Sequence, residues 1–81
     1  MKKFRFSIPN KKSPVFRCEV FEGSVFLYSR ELHIYDNSFS DEMNTTFITK
    51  RLSDIFHISE KELEVPVRMA ILLDESEWSD C

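Results

Sequence analysis

Two different spacings of apolar residues divide this chain of 81 residues, and the change from one to the other restricts its fold more than any other feature. Phe4, Phe6 and Ile8 alternate with Lys3, Arg5 and Ser7, and Phe16, Cys18 and Val20 alternate with Arg17 and Glu19. A period of two sends successive side chains to opposite faces, so both runs predict strands with one buried and one solvated side. "SVFLYS" at 24–29 and "ELHIYD" at 31–36 continue the series, the latter with Leu32 and Ile34 inward. Gly23 is the only glycine in the chain, which makes it the candidate for the left-handed position of a tight hairpin between the second and third runs. Residues 2–36 therefore read as an antiparallel meander of three or four strands.

After the polar loop "DNSFSDE" the period changes. Phe47, Ile48, Leu52, Ile55 and Phe56 share one helical stripe while Thr49, Lys50, Ser53 and Asp54 face away, which predicts a helix from 41 or 44 to 57. Ser59 with Glu62 has the spacing of a capping box and opens a second short helix at 60–64, which Pro66 should end or restart. Residues 67–73, "VRMAILL", fit either a further strand or a third helix; good helix formers and a proline at a first helical position favour the helix. The expected fold is α+β: one small domain over residues 1–81, with the meander at 2–36, a mainly helical part at 41–78 and an acidic tail at 74–81. A chain this short has room for one core only, and 42% hydrophobic residues with eight Phe are enough to build it. Disorder requires low hydrophobicity with high net charge, and a net charge of −3 on this composition is the wrong combination.

Composition also excludes chemistry. A phosphate-cradling loop needs glycines at fixed spacing, and one glycine cannot write a P-loop or a dinucleotide fingerprint. His33 and His57 are far apart, and neither CxxC nor HExxH occurs, so no metal is expected. Nucleophilic catalysis would need Cys18 or a serine beside a base, and Cys18 falls on the apolar strand face while His33 falls on a polar one, which separates that pair. A Cys18–Cys81 bridge would need the chain end to fold back onto a strand, so free thiols are expected. The N-terminal residues alternate Phe with Arg and Ser and lack the apolar run of a signal peptide, and "MAILL" is too short to span a bilayer. These features predict a cytoplasmic protein that is not an enzyme, with no cofactor, no membrane association and no small-molecule substrate. The sequon Asn44-Thr45-Thr46 carries no weight in that compartment.

Charge is distributed unevenly. Residues 1–20 hold six basic residues against Glu19 alone, and residues 21–81 hold five against thirteen acids. Two binding surfaces follow. The first is the C-terminal "LLDESEWSDC", where Asp74, Glu75, Glu77 and Asp80 surround Trp78, the single tryptophan; a large amphipathic ring among charges has the composition of an interface anchor for a protein with a basic surface, with Trp78 capping the core as the competing reading. The second is the basic set Lys3, Arg5, Lys11, Lys12 and Arg17, suited to nucleic acid, with protection of an edge strand as the competing reading. A degenerate helix-turn-helix at 48–69 is a weaker nucleic-acid candidate, because its reading helix "SEKELE" presents three acids. The function expected is binding of another protein as an inhibitor or adaptor, as small phage-encoded antagonists do with an acidic surface, and the alternative is a nucleic-acid-binding regulator.

Overall fold

The computed structural model describes residues 1–10, 12 and 15–80. It contains β1 (Lys2–Ser7), β2 (Phe16–Glu22), β3 (Val25–Leu32), α1 (Asp41–Phe56), α2 (Glu60–Leu73) and β4 (Glu75–Ser79) in chain order. The four strands form one antiparallel sheet in the order β3-β2-β1-β4, so the last strand returns beside the first. The α+β architecture expected from the change in period is the one observed.

Both period-two runs behave as written. Phe4, Phe6, Ile8, Phe16, Cys18 and Val20 point to the helical layer and are buried, while Lys3, Arg5, Arg17 and Glu19 alternate with them on a face that no helix covers. Gly23 takes φ +59° in the β2–β3 turn. α2 packs against β4 and β1, and α1 packs beside α2. Ile48 and Leu52 from α1 and Leu63, Val67, Ala70 and Ile71 from α2 close the core over the sheet.

Ser40 caps α1, its Oγ accepting from the Met43 N–H at 3.1 Å, and Ser59 does the same for α2 from Glu62 at 3.2 Å. Asp41 and Glu42 lie in the first turn of α1, where the helix dipole favours negative charge. His57 ends α1 in the left-handed conformation, φ 57°, with its N–H on the Ser53 carbonyl.

Five details depart from the expectations. Thr49, expected to face away from the core, is buried, because α2 packs on that side of α1. The strand expected at 31–36 does not form: β3 ends at Leu32, Ile34 is exposed, and Tyr35 turns inward in its place. Pro66 neither ends nor restarts a helix but sits inside α2, which continues to Leu73; the carbonyl it leaves without an N–H belongs to the exposed Glu62, where water can replace the lost bond. Residues 75–79 are a strand rather than part of a helical stretch or a tail, because Asp74 reverses the chain at φ 74° and β1 offers a free edge to pair with. Phe47 stands 43% exposed and is not part of the core stripe. It precedes Ile48 by one residue, about 100° round the helix, so it lies at the margin of the apolar face.

Candidate functional site

The two surfaces read from the sequence face each other in space. β4 pairs with β1 so that Glu77 stands opposite Arg5 and Trp78 opposite Phe4. Glu77 lies 3.4 Å from Lys3 Nζ and 3.7 Å from Arg5 Nε. Lys3 and Arg5 also flank the Phe21 ring, at 5.9 and 5.5 Å from its centroid. Arg17 donates to Glu31 through Nη2 at 2.9 Å and Nε at 3.3 Å. Exposed pairs of this kind contribute little to stability, about 0–1 kcal/mol each, but they lower the charge that either set can present to a partner. Lys12 is exposed on the β1–β2 connection, and Lys11 lies outside the described residues, as does Cys81.

Trp78 is half-buried on the helix side of β4, packed on the core with its ring centroid 5.5 Å from that of Phe4. Ser76, on the same face, donates its hydroxyl to the Pro66 carbonyl and ties β4 to α2. Glu75 and Glu77 point to the uncovered face, Asp74 is the left-handed cap of α2, and the Asp80 carboxylate accepts from the Lys2 N–H at 2.9 Å. The structure thus divides the acidic segment: its tryptophan belongs to the core margin, Glu75 and Glu77 to the sheet surface, and Asp74 and Asp80 to the two ends of β4.

The helix-turn-helix segment is two packed helices. On α2 the exposed residues include Glu60, Glu62, Glu64, Val65 and Met69. Arg68 is held by two carboxylates, Glu42 at 2.8 Å across the helices and Glu64 at 3.0 Å on its own. That pairing lowers the Glu42 carboxyl below its usual range, first by hydrogen bonding and then by charge attraction. Cys18 is wholly buried and burial pushes its thiol up to about 12, so it is protonated and inert as a nucleophile at neutral pH. Among the described residues no three His, Cys, Asp or Glu side chains are placed to hold a metal ion, and no helix is long and apolar enough to cross a membrane.

A cleft of about 510 Å³ lies elsewhere, between the β3–α1 connection and the side of α1 remote from α2. Ile34, Tyr35, Phe39 and Phe47 supply its apolar lining, and His33, Asp36, Lys50, Arg51 and Asp54 its rim. Phe39 and Phe47 meet edge to face, 5.8 Å apart at 67°. The connection is held firmly: the buried Asn44 accepts from the Asp36 N–H at 3.1 Å and donates to the Asp36 carbonyl at 2.9 Å. The Asp36 carboxylate accepts from the Ser38 N–H and hydroxyl at 2.9 and 2.8 Å, bonds that lower its pKa. Two aromatic rings therefore stand in water on a fixed frame. This occupation of Asn44 also takes the sequon's amide out of reach of modification in the folded chain.

Sequence reasoning missed this cleft. Phe39 stands within a polar stretch and Phe47 adjoins the core stripe; the signal for the cleft is the offset of Phe47 from Ile48, about 100° round the helix, together with an aromatic just before a helix cap. Comparison with known proteins returns no match: no family model, curated protein or solved structure is significantly similar to this chain.

Proposed function

We propose that this chain is a small non-enzymatic protein of the cytoplasm that acts by binding another protein, as an inhibitor or adaptor, and that the cleft beside α1 receives the partner's apolar anchor. The observation that carries this reading is the exposed pair of Phe39, on the connection fixed by Asn44, and Phe47, on α1. Clustered aromatic surface is unfavourable in water unless a partner covers it, and a pre-formed aromatic recess inside a charged rim is the arrangement in which a few side chains supply most of a binding energy. Lys50 and Arg51 against Asp54 would orient an incoming segment that carries both signs. The overall charge of −3 steers the chain toward a basic surface around that anchor.

The test is a photo-reactive phenylalanine analogue placed at position 47 and, separately, at position 77, irradiated in cells. A discrete protein adduct at 47 that disappears in a Phe39→Ala background supports the cleft. Adducts at 77 alone return the contact to the acidic strand.

A second reading has one observation in its favour: Phe21 and Phe26, 5.6 Å apart on the uncovered sheet face with Lys3 and Arg5 alongside, resemble a platform for unpaired bases. Glu19, Glu31, Glu75 and Glu77 share that face with three cations, so its charge is unfavourable for phosphate. Salt-dependent anisotropy with single-stranded probes decides this reading, and the absence of binding at low salt removes it.

A further inference from the structure

The two free edges of the sheet are treated differently. β4 is short and presents Glu75 and Glu77, a common way of discouraging a further strand. β3 is eight residues long, contains neither Lys nor Pro, and is exposed throughout from Val25 to Glu31. Val25, Phe26, Leu27 and Tyr28 keep 62, 52, 46 and 44% of their surface in water. A register shift opposite Val20 and Phe21 makes Leu27 the extra residue, so that Phe26 pairs with Phe21 on the uncovered face and Tyr28 with Val20 on the helix face. The edge therefore offers an aromatic ring on each side of the line along which another strand would lie. From Tyr28 to Leu32 the ladder with β2 is regular, leaving a straight run of backbone for new hydrogen bonds.

We propose that β3 pairs antiparallel with β3 of a second copy of this chain, about a two-fold axis normal to the sheet, so that two four-stranded sheets join into one continuous sheet. Three observations select a second copy. The strand needed to fill this edge must carry apolar side chains toward both faces, and β3 is itself such a strand. Its ionised side chains are Arg30 and Glu31, one of each sign, so self-pairing sets no net charge against itself, whereas β4 paired with itself would bring its two glutamates against two more. The area fits a weak dimer: four large side chains each expose roughly 100 Å², a neighbouring strand covers part of it, and with backbone and neighbours the two copies bury on the order of several hundred Å², the range of a transient interface.

Such a pair is isologous and closes on itself, while β3 joined to β4 would continue as a filament. The helices of both copies then lie on one side of the joined sheet, and the two clefts open on that same side. The dimer is independent of what the clefts bind, and it would make any cleft contact bivalent.

Analytical ultracentrifugation from micromolar to millimolar concentration, with hydrogen exchange of β3 measured at both ends of the series, tests the pairing. The expected result is a concentration-dependent dimer in which β3 amides pointing away from β2 gain protection, and whose dissociation constant rises at least about tenfold in Leu27→Lys, since an edge lysine opposes pairing. Tyr28→Glu is the companion variant should Leu27→Lys fail to give a folded chain. Three results would overturn the proposal: a monomer at millimolar concentration, a dimer in which β3 amides exchange no more slowly, or a dimer insensitive to either variant. A dimer lost on Phe47→Glu but retained in Leu27→Lys would show that the copies meet through the cleft instead.

Discussion

Trp78→Ala separates a core residue from a hook for partners. Its ring lies on the helix face of β4, half-buried, stacked at a 49° tilt on Phe4, which in turn meets Phe56 at 4.8 Å. Truncating a fully buried tryptophan costs about 3–5 kcal/mol; with a minor part of Trp78 still in water the loss at its lower bound is about 2 kcal/mol. In a domain of this size each kcal/mol moves the melting temperature by roughly 4–8 °C, so a fall of about 8–16 °C is expected. Truncation after Leu73 removes more: the five β4–β1 pairs, the bond from the Ile8 N–H to the Asp74 carbonyl, and the cover over Phe4. That loss is comparable with the whole stability of a small domain, and the truncated chain should show no cooperative transition. Urea and thermal melts followed by circular dichroism measure both. A Trp78→Ala melting temperature within about 2 °C of the parent would refute the packing of Trp78 on the core and return it to the surface.

Cys18 should make the fold sensitive to alkali. Its thiol titrates near 12 in the folded chain and near 9 when unfolded, so between those values the native state holds the extra proton and stability declines by about 1.4 kcal/mol per pH unit at most; urea midpoints flat up to pH 9 and falling above it in the parent but not in Cys18→Ala are the expected pattern. Gly23→Ala should cost about 1 kcal/mol for its left-handed backbone alone, because nothing lies within 4 Å of the added methyl, and Gly23→Asn should cost less. The Thr49 hydroxyl is buried without a hydrogen-bond partner among the described residues, so Thr49→Val, which keeps the shape, should leave stability unchanged or raise it by up to about 1 kcal/mol. A loss on that substitution, measured by urea denaturation, would show that the hydroxyl is satisfied.

Much of the local structure was written in short-range pattern. Phe4, Phe6 and Ile8 face inward together in a strand, the chain's one glycine turns the hairpin at φ +59°, and Ser59 needed only the N–H three residues on to start its helix. Each of these depends on neighbours within a few residues, which is why spacing reveals them. Distant pairing decided the rest. Nothing in "DESEWS" shows that it will find the free edge of β1, and once it does, the same alternation that would have made a tail sends Trp78 onto Phe4 and Glu77 onto Lys3 and Arg5. The acidic and basic segments, read separately as two binding surfaces, became adjoining strands. In the same way the periodicity of α1 marks Phe47 as apolar but leaves open which side of the helix a neighbour will cover. α2 took the side of Thr45 and Thr49, and the side of Phe47 remained open. Periodicity reports which residues prefer to leave water; which of them succeed depends on where the other elements dock, and that is a property of the assembled chain.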